Sequence, residues 1–210
     1  MTYKDAINLF EVQYTDLCLQ RNITPLKFSN KEIFTRLSII QSELSNVYRL
    51  YDKTTTLNLT AGTYEYLLET LITDCLDVIG ITYNNLNLEK ISVEEMNLIV
   101  NSQSTPTAYT IYGIGSARKI KFDYSDTLTL TIHYYARLKV YDSSNTDYEE
   151  TKTGFGGSFV IPEEYHYQII EGALAKIFPD LMAIHYEKVQ ELNKRRQIVY
   201  SGKPTYFLGV

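Results

Sequence analysis

Three histidines, His133, His166 and His185, and two cysteines, Cys18 and Cys75, carry the chain's main capacity for metal ligation or nucleophilic chemistry. Their spacing does not support either use. The histidines lie far apart, no pair has zinc-ligand spacing, and the cysteines supply no partner motif. Cys18 and Cys75 stand in apolar segments and read as reduced core fillers. Gly154-Phe155-Gly156-Gly157 resembles a phosphate loop but lacks the lysine-Ser/Thr ending and does not join a clear strand to a helix. In Gly113-Ile114-Gly115-Ser116 the serine follows the second glycine, so the segment fails as a nucleophile elbow. Glu94-Glu95 and Glu163-Glu164 pair carboxylates as glycosidases do, yet each pair falls in the first turn of an expected helix, where the dipole favours negative charge. These residues predict no catalytic group, no cofactor and no metal, and hence a protein that is not an enzyme.

Two further features point to binding. Lys194-Arg195-Arg196 is the sharpest basic run. It is expected in the last turn of the final helix, where cations are favoured, with contact to phosphate or an acidic partner as the other reading. Beyond it, Tyr206, Phe207 and Leu208 place large apolar side chains in a terminal segment, where polarity is the rule. Such a segment either folds back on its own core or docks on a partner.

The elements that carry these residues follow from periodicity. Thr2 to about Asn22 repeats Ile7, Phe10, Tyr14, Leu17 and Cys18 at helical spacing, with Thr2 and Asp5 as a capping box. Ser29 and Glu32 repeat that signal before a helix with the face Ile33, Leu37, Ile40, Leu44, Val47, Tyr48, ending near Tyr51. The period then becomes two. Thr54–Thr60, a turn at Ala61-Gly62 and Thr63–Tyr66 predict a β-hairpin. Leu67–Asp77 reads equally as short helix or as loop and strand, and Asp77–Tyr83 as a buried strand. Ser92–Ser102 is a short helix capped by Ser92 and Glu95. Strands are expected at Tyr109–Tyr112, Lys119–Tyr124 and Leu128–Tyr141, with turns at Pro106, Gly113 and Gly115. Asp142–Gly157 is a long polar, glycine-rich loop, expected to be mobile. Ile161-Pro162 opens a helix with Tyr165, Ile169, Ala173 and Ile177 on its face. Pro179 ends it, and a last helix runs from about Asp180 to Gln197 on Leu181, Ile184, Val189 and Leu192.

The expected fold class is therefore α+β, a helical bundle formed by N- and C-terminal helices with a compact β-rich insertion between them. The expected boundaries are 1–52 for the N-terminal helices, 53–141 for the insertion, 142–160 for the flexible loop, 161–200 for the C-terminal helices and 201–210 for the tail. A 44% hydrophobic composition over 210 residues suffices for a core, and no apolar run reaches the roughly 18–20 residues of a membrane span. The first residues lack the basic-then-apolar pattern of a signal peptide, so the chain is expected to be made in a cytoplasm. A net charge of -5 opposes a broad grip on nucleic acid. The 19 tyrosines, with no tryptophan, suit subunit interfaces and equally fit A/T-rich coding.

The order of features resembles that of the head–tail connector, or portal adaptor, proteins of tailed phages. The residues concerned are Lys31–Leu50 with Arg36 and Gln41, then Leu57–Tyr66, Leu86, and Ile91–Met96. Thr105–Tyr109, Ile120–Phe122, Leu130–Tyr134 and Phe159–His166 complete the pattern. The chain departs from the family at Leu67-Leu68, where a Leu-Pro is usual. The tyrosine-rich composition is similar to that of crAss-like phages. The resemblance implies a structural virion protein: identical subunits, twelve in number, ringed between portal and tail and extending the DNA channel. Its partners would be the portal protein and further neck-ring or tail proteins. DNA would pass without specific binding, and no membrane would be involved. Lys194, Arg195, Arg196, Tyr206, Phe207 and Leu208 would meet the portal or a neighbouring subunit. The other class of function the sequence allows is a small carbohydrate- or peptide-binding module, with tyrosines of the insertion stacking on ligand.

Overall fold

Thr2 and Ser29 start the first two helices, as their spacing predicts. The computed structural model describes residues 1–99, 104–138, 140 and 157–201. α1 spans Tyr3–Gln20 and α2 spans Asn30–Tyr48, each opened by a complete capping box, Thr2 with Asp5 and Ser29 with Glu32. The reciprocal hydrogen bonds satisfy N-terminal amides that a helix cannot satisfy internally. They also hold both carboxyls below their ordinary pKa, chiefly through the Thr2 side chain at Asp5 and the Ser29 backbone amide at Glu32. α2 ends at Tyr48, three residues before the expected stop, and its C-cap Arg49 has a left-handed φ of 53°. Its buried face also differs: Val47 is exposed, while Phe34, Ser38, Gln41, Ser42 and Ser45 are buried.

The described chain divides into two compact units. Met1–Leu50 and the segment beginning at Leu138 make one, and Tyr51–Arg137 makes the other. The fold class is α+β, with terminal helices flanking a β-rich middle.

In the helical unit, α1 and α2 pack with α5 (His166–Ala175), and α6 (Met182–Ser201) packs on α5. Tyr3 anchors the core, meeting Phe34 and Phe159 edge-on at 4.9 and 4.8 Å. Pro162 precedes α5 instead of joining its first turn: Glu163–Tyr165 form a 3-10 turn, and α5 begins at His166. Tyr165, Ile169 and Ala173 are buried as expected. Pro179 opens another 3-10 turn before α6. On α6 the inward residues are His185 and Val189, while Ile184 is 52% exposed. Gly172 explains how closely these helices meet, since a Cβ there would lie 2.8 Å from Ile40 Cγ2 and 2.9 Å from the His185 ring.

The β unit holds two four-stranded sheets. One has the order β1-β8-β3-β4, and the other β2-β7-β6-β5. The strands are β1 Asp52–Asn58, β2 Glu65–Leu67, β3 Cys75–Tyr83, β4 Leu86–Asn87, β5 Glu89–Lys90, β6 Ala108–Tyr112, β7 Lys119–Phe122 and β8 Thr129–Ala136. Leu57, Val78, Ile81, Ile120, Phe122, Leu130 and Ile132 share one core drawn from both sheets.

The expected hairpin at Ala61-Gly62 is not formed. Only Gly62 has a positive φ (78°), and the turn, closed by Thr63 N–H donating to Thr60 at 3.0 Å, passes the chain from one sheet to the other. A tight hairpin forms instead at Asn84-Asn85, where φ is 50° and 65° and Tyr83 pairs with Leu86. Two successive left-handed residues match the right-handed strand twist, and asparagine tolerates them.

The ambiguous Leu67–Asp77 stretch resolves into β2's last residue, a one-turn helix α3 (Leu68–Leu71) and the start of β3. On β3 the buried residues recur every third position, Cys75, Val78 and Ile81. Register shifts between Cys75 and Asp77 and between Val78 and Gly80 account for this, because each bulge adds a residue and resets the alternation. β8 stops at Ala136, short of the expected Tyr141, and Leu138 belongs to the helical unit. The helix α4 (Val93–Ile99) carries the expected Ser92–Glu95 cap. Its expected continuation to Ser102, like most of the loop Asp142–Gly157, lies outside the described residues.

Three outcomes follow from this packing. Asp123 is fully buried and accepts from the backbone amides of Thr107 and Ala108 and from the Thr107 hydroxyl. Asp123→Ala should cost about 3 kcal/mol, because those donors stay buried without a partner. Urea unfolding followed by the tyrosine near-ultraviolet signal measures it, and a loss below about 1 kcal/mol would refute the role. Gly172→Ala gains about 1 kcal/mol of helix propensity but loses about 1–3 through overpacking against Ile40 and His185, so a lower melting temperature is expected. Burial holds His185 below its ordinary pKa of 6.5. The unfolded chain then binds a proton that the folded chain refuses, so stability falls as pH drops below 6.5, by up to about 1.4 kcal/mol per pH unit. His185→Gln should flatten the profile between about pH 6.5 and 5, a window above the capping carboxylates.

Candidate interaction surfaces

The side chains with chemical capacity are separated by the fold. His133, on β8, meets Thr54 Oγ1 at 3.0 Å across the β1–β8 pair. His166 is buried at the start of α5, with Nε2 2.9 Å from the Ile161 carbonyl. His185 lies on α6. Cys18 and Cys75 are both buried and reduced, one in each unit. Burial pushes the Cys75 thiol up to about 11, so it is not a ready nucleophile. Among the described residues no group of three or more His, Cys, Asp or Glu is disposed to hold a metal ion. Among them, too, no helix is long and apolar enough to cross a membrane.

Two polar clusters in the β unit have the composition of a proton relay and the geometry of a brace. Asp74 accepts from Lys53 Nζ at 2.8 Å and from the Tyr134 hydroxyl at 3.1 Å. Burial works against the Asp74 charge, but Lys53 and Tyr134 outweigh it and hold the carboxyl below its ordinary pKa. Burial and the adjacent Asp74 push Tyr134 up to about 12. The cluster thus links β1 and β8 to the turn before β3. Arg118 donates to the carbonyls of Leu76 and Cys75 at 2.7 and 2.6 Å and to Glu69 Oε1 at 2.9 Å. These three bonds fix the end of the Gly113–Ala117 loop against α3 and the start of β3.

Of the paired glutamates, Glu95 caps a helix, while the turn of Glu163 and Glu164 has no side-chain cap bond. Glu95 accepts from the Ser92 amide at 3.0 Å, and Glu163 and Glu164 start the 3-10 turn before α5.

The basic run is placed differently from its expectation. α6 continues to Ser201, so Lys194, Arg195 and Arg196 lie one turn inside the helix, and the dipole no longer accounts for them. Nothing before Gly202 breaks the helix. The helix also divides the run. Lys194 and Arg195 are exposed, with Arg195 paired to Glu191 one turn back. Arg196 is half-buried and faces Tyr165, where it opposes the rise that burial imposes on the tyrosine hydroxyl. Tyr206, Phe207 and Leu208 lie outside the described residues.

Sequence reasoning missed a groove in the helical unit. It has a volume of about 330 Å³ and runs between α1, α5 and α6, with Leu17, Leu174, Leu181 and Ile184 as its apolar wall. Asp16, Glu171 and Lys188 line it as well. Lys188 donates to Glu171 Oε1 at 2.7 Å. Its one local signal was Gly172 in the middle of a helix, the mark of a close approach.

With the architecture in view, comparison with known proteins gives one family. No curated protein matches the chain. The family model described as SU10 adaptor protein matches residues 1–202, a span that takes in both units and all the described elements, and the chain belongs to the SU10 adaptor protein family.

Proposed function

We propose that the protein is a non-catalytic structural subunit of a tailed-phage particle, ringed between portal and tail. The observation that carries this reading is the family match over residues 1–202, which spans the helical unit and the β insertion alike. Twelve copies close a ring below the portal, extend the DNA channel and offer a surface to further neck or tail proteins. A closed ring uses heterologous contacts, one face of each subunit meeting a different face of the next.

The charge distribution supports passage of DNA without capture. Lys53, Arg118, Lys119, Lys176, Lys188 and Arg195 are each paired with a carboxylate of the same chain. A net charge of -5 leaves little drive for counterion release. Lys194, Arg195, Arg196, Tyr206, Phe207 and Leu208 are the residues we assign to contact with the portal or a neighbouring copy. The tyrosine-rich composition favours a crAss-like phage as the source.

Mixing the purified chain with the portal protein of the same phage and imaging the product by electron microscopy tests the reading. A second ring of twelvefold symmetry on one end of the portal is expected. A chain that leaves the portal bare at micromolar concentration of both would overturn it.

A further inference from the structure

From the groove on α1, α5 and α6 and the reach of the C-terminal segment, we infer that Tyr206, Phe207 and Leu208 of one copy dock in the groove of a neighbouring copy. The inference rests on the ring reading and specifies its subunit contact. The groove has an apolar wall of Leu17, Leu174, Leu181 and Ile184, and Ile184 is 52% exposed. Its volume of about 330 Å³ admits a few side chains and not a helix. The sequence supplies one compact apolar triplet outside the described fold, Tyr206-Phe207-Leu208.

Reach decides between a chain's own groove and its neighbour's. α6 ends at Ser201 and carries Ile184 on its first turn. At 1.5 Å per residue, Ile184 lies about 25 Å back along the axis from Ser201. Tyr206 is five residues beyond Ser201 and reaches at most about 17 Å, and Phe207 about 20 Å, in a fully extended chain. Reversing direction at the helix end shortens both. Leu208, seven residues out, reaches at most about 24 Å, just past the groove's near end at Lys188 about 20 Å back, so the triplet as a whole is too short for its own groove, and the groove of the next copy is the seat we infer.

The chemistry agrees. Burial lowers the His185 pKa, which disfavours a charge beside Ile184 against an apolar insert. Exposed Asp16 lines the groove, and Lys203 precedes the triplet by three residues, giving an opposite charge beside it. Donor segment and acceptor groove are different parts of one chain, so the contact repeats head to tail, as a ring requires.

Cysteine cross-linking in the full-length chain tests this. Cys18 and Cys75 are buried and stay in place. Ile184→Cys and Phe207→Cys single variants, mixed one to one under mild oxidation, should give a disulfide-linked dimer, whereas each alone should give little. The double variant should give multimers. A double variant that closes within one chain, or mixed variants that stay unlinked, would overturn the inference. Ile184→Glu should weaken self-association at least tenfold in sedimentation, with melting temperature unchanged because the side chain is half in solvent. Unimpaired association of that variant would also count against the groove. Imaging wild type with portal separates the two levels: rings without cross-links leave the ring reading standing and remove the groove contact, and absence of rings removes both.

Discussion

The returning chain has to be held where it leaves the β unit, and α2 holds it with buried polar side chains. Ser42 Oγ donates to the Leu138 carbonyl at 2.6 Å, and the Leu138 amide donates to Asn46 Oδ1 at 3.0 Å. On the residue just before Ser42, Gln41 Oε1 accepts from the Val160 amide at 3.1 Å, and its Nε2 lies 3.4 Å from the Tyr3 hydroxyl. A connecting segment cannot be buried with its amides and carbonyls unpaired, since each lost partner costs about 1–3 kcal/mol. Helix side chains here supply what a neighbouring strand would supply in a sheet. The N-terminus joins the same arrangement, because Tyr3 N–H donates to the Gly157 carbonyl at 2.8 Å and Thr2 bridges to Ser158. The stripe Gln41-Ser42-Asn46 would be a poor choice for a purely hydrophobic helix face. It is explained by the backbone it receives.

The β unit solves the matching problem at its own end. Its first and last strands, β1 and β8, are paired antiparallel, with Asp52 opposite Tyr135, and Ala136 N–H donates to the Tyr51 carbonyl at 2.8 Å. An insertion whose two ends lie side by side interrupts its host at one place only, so the host helices can pack without it. Lys53, Asp74 and Tyr134 reinforce that pair where it opens. The polar clusters of this unit thus serve closure, and their perturbed pKa values report mechanical bracing more than chemistry.

Features set by neighbours in sequence were legible, and those set by distant partners were not. The three capping boxes need only residues three apart, and all three form. The hairpin was misplaced because alternation in Thr54–Thr60 does not name its partner, which is β8, some seventy residues on. The local chemistry favoured Asn84-Asn85, where both residues tolerate positive φ, over Ala61-Gly62, where only the glycine does. On α6 the apolar Ile184 was read as core and the polar His185 was not. The close approach permitted by Gly172 buries the imidazole instead. The groove was illegible for the same reason, since Leu17 and Ile184 come from helices that meet only in the folded unit.

Part of the surface left for association is apolar. Of the charged side chains, Arg118, Lys53 and Arg21 are committed to partners in their own unit, Arg21 both to Asp180 and over the Phe178 ring at 4.6 Å. Exposed pairs such as Lys176–Glu43 contribute at most about 1 kcal/mol and are screened by salt. Val12, Leu19, Ile23 and Leu26 on and after α1, with Ile184 and Tyr186 on α6, stay exposed in the helical unit. Single exposed apolar residues need no explanation, but a run of them along one helix and its following loop does. On the ring reading proposed above, identical copies meet at high local concentration, so each contact can be weak provided it repeats around the ring. Modest apolar contacts, distributed over the helices and oriented by shape, meet that requirement. Strong ion pairs would add a salt-dependent step to every one of them.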